Sequence, residues 1–378
     1  MPRAESFAID IPEALLDDLR ERLTRTRYAP ILHGGGWGLG TDPTYLRELL
    51  EYWRTTFDWR AQERRLNGYP QFRMEIDGAP IHFARLRRDA DRPRSAILLL
   101  HGWPYTFVEL LGLAERLATR DFVEGHAFDV VVPSLPGYIF SGVPDRPFFW
   151  RDVPRMLVDL MAALGYERFI AHGSDVGAQL TNRLAVEFPD RLLGIHLTQT
   201  SVGERGDRPL SLAEERMLAE DERWEREDAA YTFMHETRPQ TLAAALTDSP
   251  AGLAAWIVEK LHEWSDLGSH GDLQRTWSKD RILTLLTLYW ATGSIGTSFL
   301  SYYETVRDPD ARPWHMVDVP AAFTIFARDL SPPPREWADR GYTRIVRWTD
   351  VPFGGHFPAV ENVDLLAAEI RAAAASFE

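Results

Sequence analysis

The chain contains no cysteine. That excludes a disulfide framework, a thiolate nucleophile and any cysteine-ligated metal. Lysine is nearly missing as well: only Lys260 and Lys279 occur, so arginine carries almost all the positive charge, a bias we read as genomic. Cations as a whole are outnumbered, 42 Lys+Arg against 56 Asp+Glu, and the net charge of −14 argues against nucleic acid or an anionic membrane as partner. No run approaches the roughly 18 apolar residues of a membrane helix. The polar opening Met1-Pro2-Arg3-Ala4-Glu5 has no signal-peptide core, so a cytoplasmic protein is expected. Internal repeats and low-complexity segments are lacking too. What is present is 378 residues, 45% hydrophobic, enough for one large core and a smaller unit. The aromatic supply is rich, with 13 Trp, 12 Tyr and 19 Phe. Aromatics mostly fill core, and they also line apolar ligand pockets.

The first part of the chain predicts a helix over 13–25 with Leu15, Leu16, Leu19 and Leu23 on one face. A second helix starts at Asp42-Pro43, with Leu46, Leu49, Leu50 and Trp53 as its stripe. Asp77-Gly78 is a hairpin signal between short strands at 72–76 and 81–86. From Ala96 the texture changes. Apolar runs at 96–100, 128–132, 168–170 and 192–197 are separated by helical stretches at 107–119, 150–164 and 176–188; two more runs follow at 322–327 and 345–348. This alternation is the signature of a parallel sheet covered on both faces. Between about 203 and 318 it stops, and helices are expected at 211–227, 239–246, 251–264, 280–292 and 295–306. A helical insertion there should lie over the C-terminal strand ends, where open α/β sheets bind ligands. The expected division is an N-terminal meander packing on the core (1–90), the first part of an α/β core (91–202), a helical cap (203–318) and the second part of the core (319–378).

The chemistry starts at Ala171-His172-Gly173-Ser174-Asp175-Val176-Gly177-Ala178. A buried strand ends here, and Val176, Leu180, Leu184 and Phe188 then recur at helical spacing. Strand, sharp turn and helix make a nucleophile elbow, which lifts one side chain above the sheet. Small residues must stand two before and two after that side chain. Centring on Asp175 puts Gly173 and Gly177 there; centring on Ser174 would put His172 and Val176 there. The register therefore favours a carboxylate nucleophile over a hydroxyl, although Ser-Asp before a helix is also a common N-cap pair. His101-Gly102-Trp103-Pro104 follows directly on the 96–100 run. Its backbone N–H at Trp103, with that of Val176, forms the expected oxyanion hole. Trp103-Pro104 is a candidate cis peptide. Gly354-Gly355-His356-Phe357 follows the last strand, where an α/β-hydrolase places its histidine. The acid should follow the penultimate strand, which offers Asp329, with Asp350 as an alternative.

With these features in place the chain resembles the microsomal-type epoxide hydrolase family: α/β-hydrolases with an aspartate nucleophile, a mostly parallel central sheet, a helical cap and an N-terminal meander. The resemblance covers nearly the whole chain. It is carried by residues 16–27, Tyr52-Trp53-Arg54, Phe57-Asp58-Trp59-Arg60 and Leu66-Asn67, by His101-Gly102-Trp103-Pro104, Leu135-Pro136-Gly137-Tyr138 and Gly355-His356-Phe357, and by the segments 237–242, 246–253 and Leu288-Tyr289-Trp290. It implies that two tyrosines hold the epoxide oxygen, here Tyr231 and Tyr302, with Tyr303 adjacent to the latter. It further implies Asp175, His356 and Asp329 as nucleophile, base and acid, and Trp103, Pro104 and Tyr105 as substrate contacts. No metal and no cofactor are expected. The expected substrate is a small-molecule epoxide with a bulky or aromatic group, and a homodimer is left open. The family has both detoxifying and biosynthetic members. Ala230, Tyr105-Thr106, Ser174 and Val176 depart from its usual residues at the oxyanion loop and pocket wall. Two other readings stand beside this one: a haloalkane-type dehalogenase with the same aspartate, and a non-catalytic ligand-binding protein on this fold. A serine esterase acting through Ser174 is disfavoured by the elbow register.

Overall fold

The computed structural model of the chain describes residues 3–87, 95–119, 127–146, 148–200, 206–308 and 316–377. Among the described residues nine strands form one sheet: β1 (Glu5–Phe7), β2 (Gln71–Ile76), β3 (Ala79–Leu86), β4 (Ala96–Leu100), β5 (Asp129–Pro133), β6 (Phe169–Gly173), β7 (Leu192–Leu197), β8 (Ala321–Phe326) and β9 (Ile345–Val351). Their order is β1-β2-β3-β5-β4-β6-β7-β8-β9. The first three strands and the β3–β5 pair are antiparallel; every pair from β5 through β4 to β9 is parallel. Each apolar run expected from Ala96 onward is therefore a strand of a mostly parallel sheet. Every residue of β4, β5, β6 and β8 is buried. Such strands read as continuous apolar runs because helices cover both faces of the sheet.

The N-terminal segment does more than pack on the core. It supplies three strands of the sheet, joined between β2 and β3 by Asp77 and Gly78, both at positive φ (51° and 78°), as a tight hairpin needs. It also straps the helical stretch between β7 and β8. Trp53 Nε1 donates to Thr287 Oγ1 at 3.1 Å, and Thr41 Oγ1 donates to the Ala255 carbonyl at 2.6 Å. The Trp37 ring lies nearly parallel to that of His262, with centroids 3.8 Å apart.

Several sequence expectations are corrected. Leu15 is 38% exposed, and the helix Glu13–Thr24 buries only Leu16, Leu19 and Leu23. The single helix expected over 295–306 is two, Ile295–Ser298 and Leu300–Thr305. Serine hydroxyls donate to nearby carbonyls at the break: Ser298 Oγ to Ile295 O at 2.7 Å and Ser301 Oγ to Ser298 O at 3.1 Å, local bonds that compete with the helical ladder. A helix not anticipated at all, Ala230–Thr237, stands between Leu212–Glu227 and Pro239–Asp248. The expected boundaries at 90/91 and 202/203 fall outside the described residues. Among the described residues no single helix is long and apolar enough to cross a membrane.

Candidate active site

Asp175 stands at the end of β6, one residue before the helix Val176–Glu187, with φ 54°. A positive φ at a residue with a side chain is strained, and here it turns the carboxylate out of the chain path. The glycines flanking it are required by space. A Cβ on Gly173 would stand 2.1 Å from the Gly177 carbonyl oxygen, and one on Gly177 would stand 2.2 Å from that of Leu100. This is the close approach that the register argument assumed.

The turn after β4 supplies the neighbouring donor. Trp103 N–H donates to Asp175 Oδ1 at 2.7 Å. His101 holds this turn: its Nε2 accepts from the Leu135 N–H at 3.0 Å, and burial pushes its pKa down to about 4, so it stays neutral. The Trp103-Pro104 bond is cis. Gly102 leaves the space the nucleophile occupies, since a Cβ there would come within 2.1 Å of Asp175 Oδ1. Gly102→Ala is therefore expected to keep the fold but displace the carboxylate. Its kcat/KM should fall by roughly 10²-fold, the usual effect of a misplacement near 1 Å. A wild-type rate together with an unchanged melting curve would refute this.

The imidazole of His356 links two carboxylates. Its Nδ1 meets Asp329 Oδ1 at 2.7 Å, and its Nε2 lies 3.3 Å from Asp175 Oδ2. Burial opposes a charge on the ring. The Asp329 and Asp175 carboxylates outweigh it and hold the imidazole pKa up to about 10. The resting site is thus an imidazolium between two anions. The loop that carries His356 docks on the end of the helix Pro250–Glu263, where the His356 amide donates to the Trp264 carbonyl at 2.8 Å. Gly355 permits this, since a Cβ there would lie 2.6 Å from both Trp264 O and Asp266 N. Glu361 completes the loop by accepting from the amides of Asp266, Gly355 and Phe357, each at 2.9 Å.

Above the elbow is a cavity of about 340 Å³. Its wall brings Asp175 and His356 together with Tyr231 and Tyr302, and with Trp224 and Trp337. The two tyrosine rings meet edge to face, with centroids 6.0 Å apart. Burial, followed by the charge of Asp175 for Tyr231 and by Tyr231 and then Asp175 for Tyr302, pushes both phenols above their ordinary pKa. Both are neutral donors at physiological pH. The hydroxyl contact between them favours ionisation of Tyr231 and disfavours that of Tyr302.

Residues 4–110 match the family model for the epoxide hydrolase N terminus, and residues 95–255 match that for the alpha/beta hydrolase fold. Epoxide hydrolase 1 of Sus scrofa is 32% identical over 399 residues, covering 97% of this chain and 87% of that protein. Juvenile hormone epoxide hydrolase of Bombyx mori is 33% identical over 397 residues, covering 98% and 86%. The structure of Aspergillus niger epoxide hydrolase superposes with a TM-score of 0.88 at 33% identity, covering 100% of this chain and 97% of that one. The chain belongs to the epoxide hydrolase family. Its fold is the α/β-hydrolase fold.

Within this family member, most of the expected site residues converge: Asp175, His356, Asp329, Tyr231 and Tyr302 all line the one cavity. Tyr303 does not line it; the guanidinium of Arg307 lies 3.8 Å from its ring centroid. Asp350, the alternative acid, accepts from Trp348 Nε1 at 2.9 Å on β9. The expected substrate contacts Trp103, Pro104 and Tyr105 do not line this cavity. Trp103 is fully buried behind Tyr231, with the two rings nearly parallel at 5.4 Å. Tyr105 directs its hydroxyl to Ser174 Oγ and to the Ser174 carbonyl at 3.2 Å, so it braces the elbow from below. Of the two expected oxyanion-hole amides, among the described residues that of Trp103 donates to the resting carboxylate and that of Val176 does not. Sequence reading missed Gly102 as a spacer and Glu361 as the anchor of the histidine loop. A glutamate five residues after His356, in the turn of Pro358–Glu361, was the available signal for the second.

Proposed function

We propose that this epoxide hydrolase converts a small epoxide to a vicinal diol through an ester on Asp175. The observation that carries this reading is one cavity wall holding an aspartate, an imidazolium and two neutral phenols. Asp175 Oδ2 attacks an epoxide carbon while the other oxygen, Oδ1, keeps its bond from Trp103 N–H. The carbon–oxygen bond breaks, and the departing oxygen takes the proton of Tyr231, with Tyr302 as second donor. A neutral phenol suits this task because it stabilises charge that develops only as the ring opens.

Alkylation erases the charge of Asp175. One of the two carboxylates holding up the His356 pKa is then gone, and the imidazolium releases its proton, through solvent in the cavity, to the Tyr231 phenolate. The neutral imidazole, oriented by Asp329, next takes a proton from water. The hydroxide attacks Asp175 Cγ, and the oxyanion at Oδ1 is met by the N–H groups of Trp103 and Val176. Collapse expels the diol alkoxide, which takes the proton of the acid formed on Asp175. Carboxylate, imidazolium and phenol are all restored.

The helical stretch between β7 and β8 acts as the cap, since it contributes both tyrosines. The substrate carries an aryl or branched alkyl group, a reading supported by Trp224 and Trp337 in the wall. Rapid-quench kinetics on an aryl epoxide test the scheme. Tyr231→Phe and Tyr302→Phe should each slow ester formation by roughly 10²–10³-fold, the usual loss for one such donor. Hydrolysis of ester already formed should be unaffected. Equal slowing of both steps would argue against the acid role. A dehalogenase would instead release halide from a haloalkane panel.

A further inference from the structure

One of the two lysines is buried. Lys260 lies in the last turn of the helix Pro250–Glu263, its side chain only 6% exposed. Removing an ammonium from water is costly unless its surroundings compensate. Glu259 meets its Nζ at 2.7 Å. Two aromatic rings also lie close: the Tyr231 ring centroid is 4.8 Å away and that of Trp264 is 5.8 Å away. These are cation–π distances. A solvent-facing ion pair would not place the charge against a residue of the cavity wall.

The groups around Tyr231 set its electrostatics. Asp175 and Glu236 oppose its ionisation, and the hydroxyls of Thr232 and Tyr302 favour it. His235, edge-on at 5.5 Å, adds no charge, because burial and then Lys260 push its pKa down to about 3. The indole of Trp103 lies parallel to the ring. Near Lys260 stand Glu259 and Asp228, with Glu263 close to Asp228. Among the described residues, Lys260 is thus the cation placed on the phenol that the proposed scheme uses as its acid.

We propose that Lys260 is a positioning residue for ring opening: its ammonium, held against the face of Tyr231, favours the negative charge that builds on this phenol as its proton moves to the epoxide oxygen. The inference rests on the reading of Tyr231 as the acid. The charge acts in a water-poor site, where a cation 4.8 Å from the ring centroid is screened far less than in solvent. It acts on ring opening and not on ester hydrolysis, because the phenolate formed as the ring opens has taken back its proton before water attacks the ester.

The test resolves the two steps by rapid quench with styrene oxide as probe. Lys260→Met is expected to slow ester formation by roughly 10–10²-fold, an effect on the scale of a desolvated cation–π contact with added Coulombic attraction. Hydrolysis of the ester should stay at the wild-type rate. Lys260→Arg, which keeps the charge, should recover most of the loss. In a Tyr231→Phe background Lys260→Met should cause no further slowing. Should the Met variant fail to fold, Lys260→Gln gives the same comparison with similar length and no charge. Wild-type ester formation in Lys260→Met overturns the inference, as does equal slowing of both steps or an undiminished effect in the Tyr231→Phe background. A Tyr231→Phe enzyme that forms ester at the wild-type rate would instead remove the acid assignment itself, and that result is read without any Lys260 variant.

Discussion

The variant His356→Gln is expected to gain the mass of one epoxide and keep it. Ester formation needs the Asp175 carboxylate and the tyrosine donors, and neither depends on a basic imidazole. Hydrolysis needs a proton acceptor for water, and glutamine provides none. Steady-state turnover should fall by roughly 10²–10⁴-fold, the usual contribution of a general base. The adduct, located by digestion, should lie on the peptide containing Asp175. Intact-mass analysis after incubation with aryl and alkyl epoxides reads this directly. A variant without adduct beside a wild type that makes diol would mean direct attack by water and would overturn the covalent scheme. The 3.3 Å separation of His356 Nε2 from Asp175 Oδ2 makes the stall sharp, since the lost base is the group adjacent to the ester.

Asp175→Asn should abolish turnover, on the order of 10⁶-fold, the scale seen when a covalent nucleophile is removed from other hydrolases. It should also change a property readable without substrate. His356 is protonated near neutrality because the charges of Asp329 and Asp175 together outweigh burial. Asparagine removes one of those charges, so the imidazole pKa must fall, as it does in the ester. Nitrogen-15 resonances of the His356 ring, followed from pH 5 to 10, check this. The wild-type ring should remain protonated until the alkaline end of that range, and the variant ring should lose its proton at lower pH. An unchanged titration would mean that Asp329 alone sets the charge state, and the proposed release of the base on alkylation would fail. Stability follows the same linkage. A pKa raised from an ordinary 6.5 to about 10 stabilises the folded chain fully below pH 6.5, and this contribution disappears as pH rises towards 10.

The parallel strands were legible because burial on both faces demands continuous apolar runs, a pattern few other structures need. Asp175 was legible because its elbow needs two small residues at fixed offsets, which is a steric requirement written directly in sequence. The helix Ala230–Thr237 was not. It mixes Tyr231, Phe233 and His235 with polar residues and has no clear stripe, since Tyr231 and His235 are buried while Phe233 is exposed. Tyr231 itself came through family resemblance, and periodicity gave no hint of it. The placement of Trp103 and Tyr105 away from the cavity wall was not legible for a related reason. An aromatic beside a catalytic turn can face substrate or brace the turn from behind, and only the packing of Tyr105 against Ser174 decides. Lys260 meets Tyr231, 29 positions away in sequence, so no local pattern marks it; Glu361 bonds the nearby Gly355 and Phe357 amides but also the remote Asp266 amide, and only that last contact ties the histidine loop to the helix end.

The contact between the His356 amide and the Trp264 carbonyl has a consequence for how such proteins can be recombined. The base belongs to the last part of the chain and Tyr231 to the stretch before it, yet both rings pack against Trp264 at the same helix end, at 5.1 and 5.2 Å between centroids. The two pieces are therefore not interchangeable modules. A chimera that imports residues 206–308 from a relative inherits a foreign seat for the histidine loop. To stay active it should take residues 264–266 and 354–361 from one parent, and drift in either segment during evolution should be matched by drift in the other.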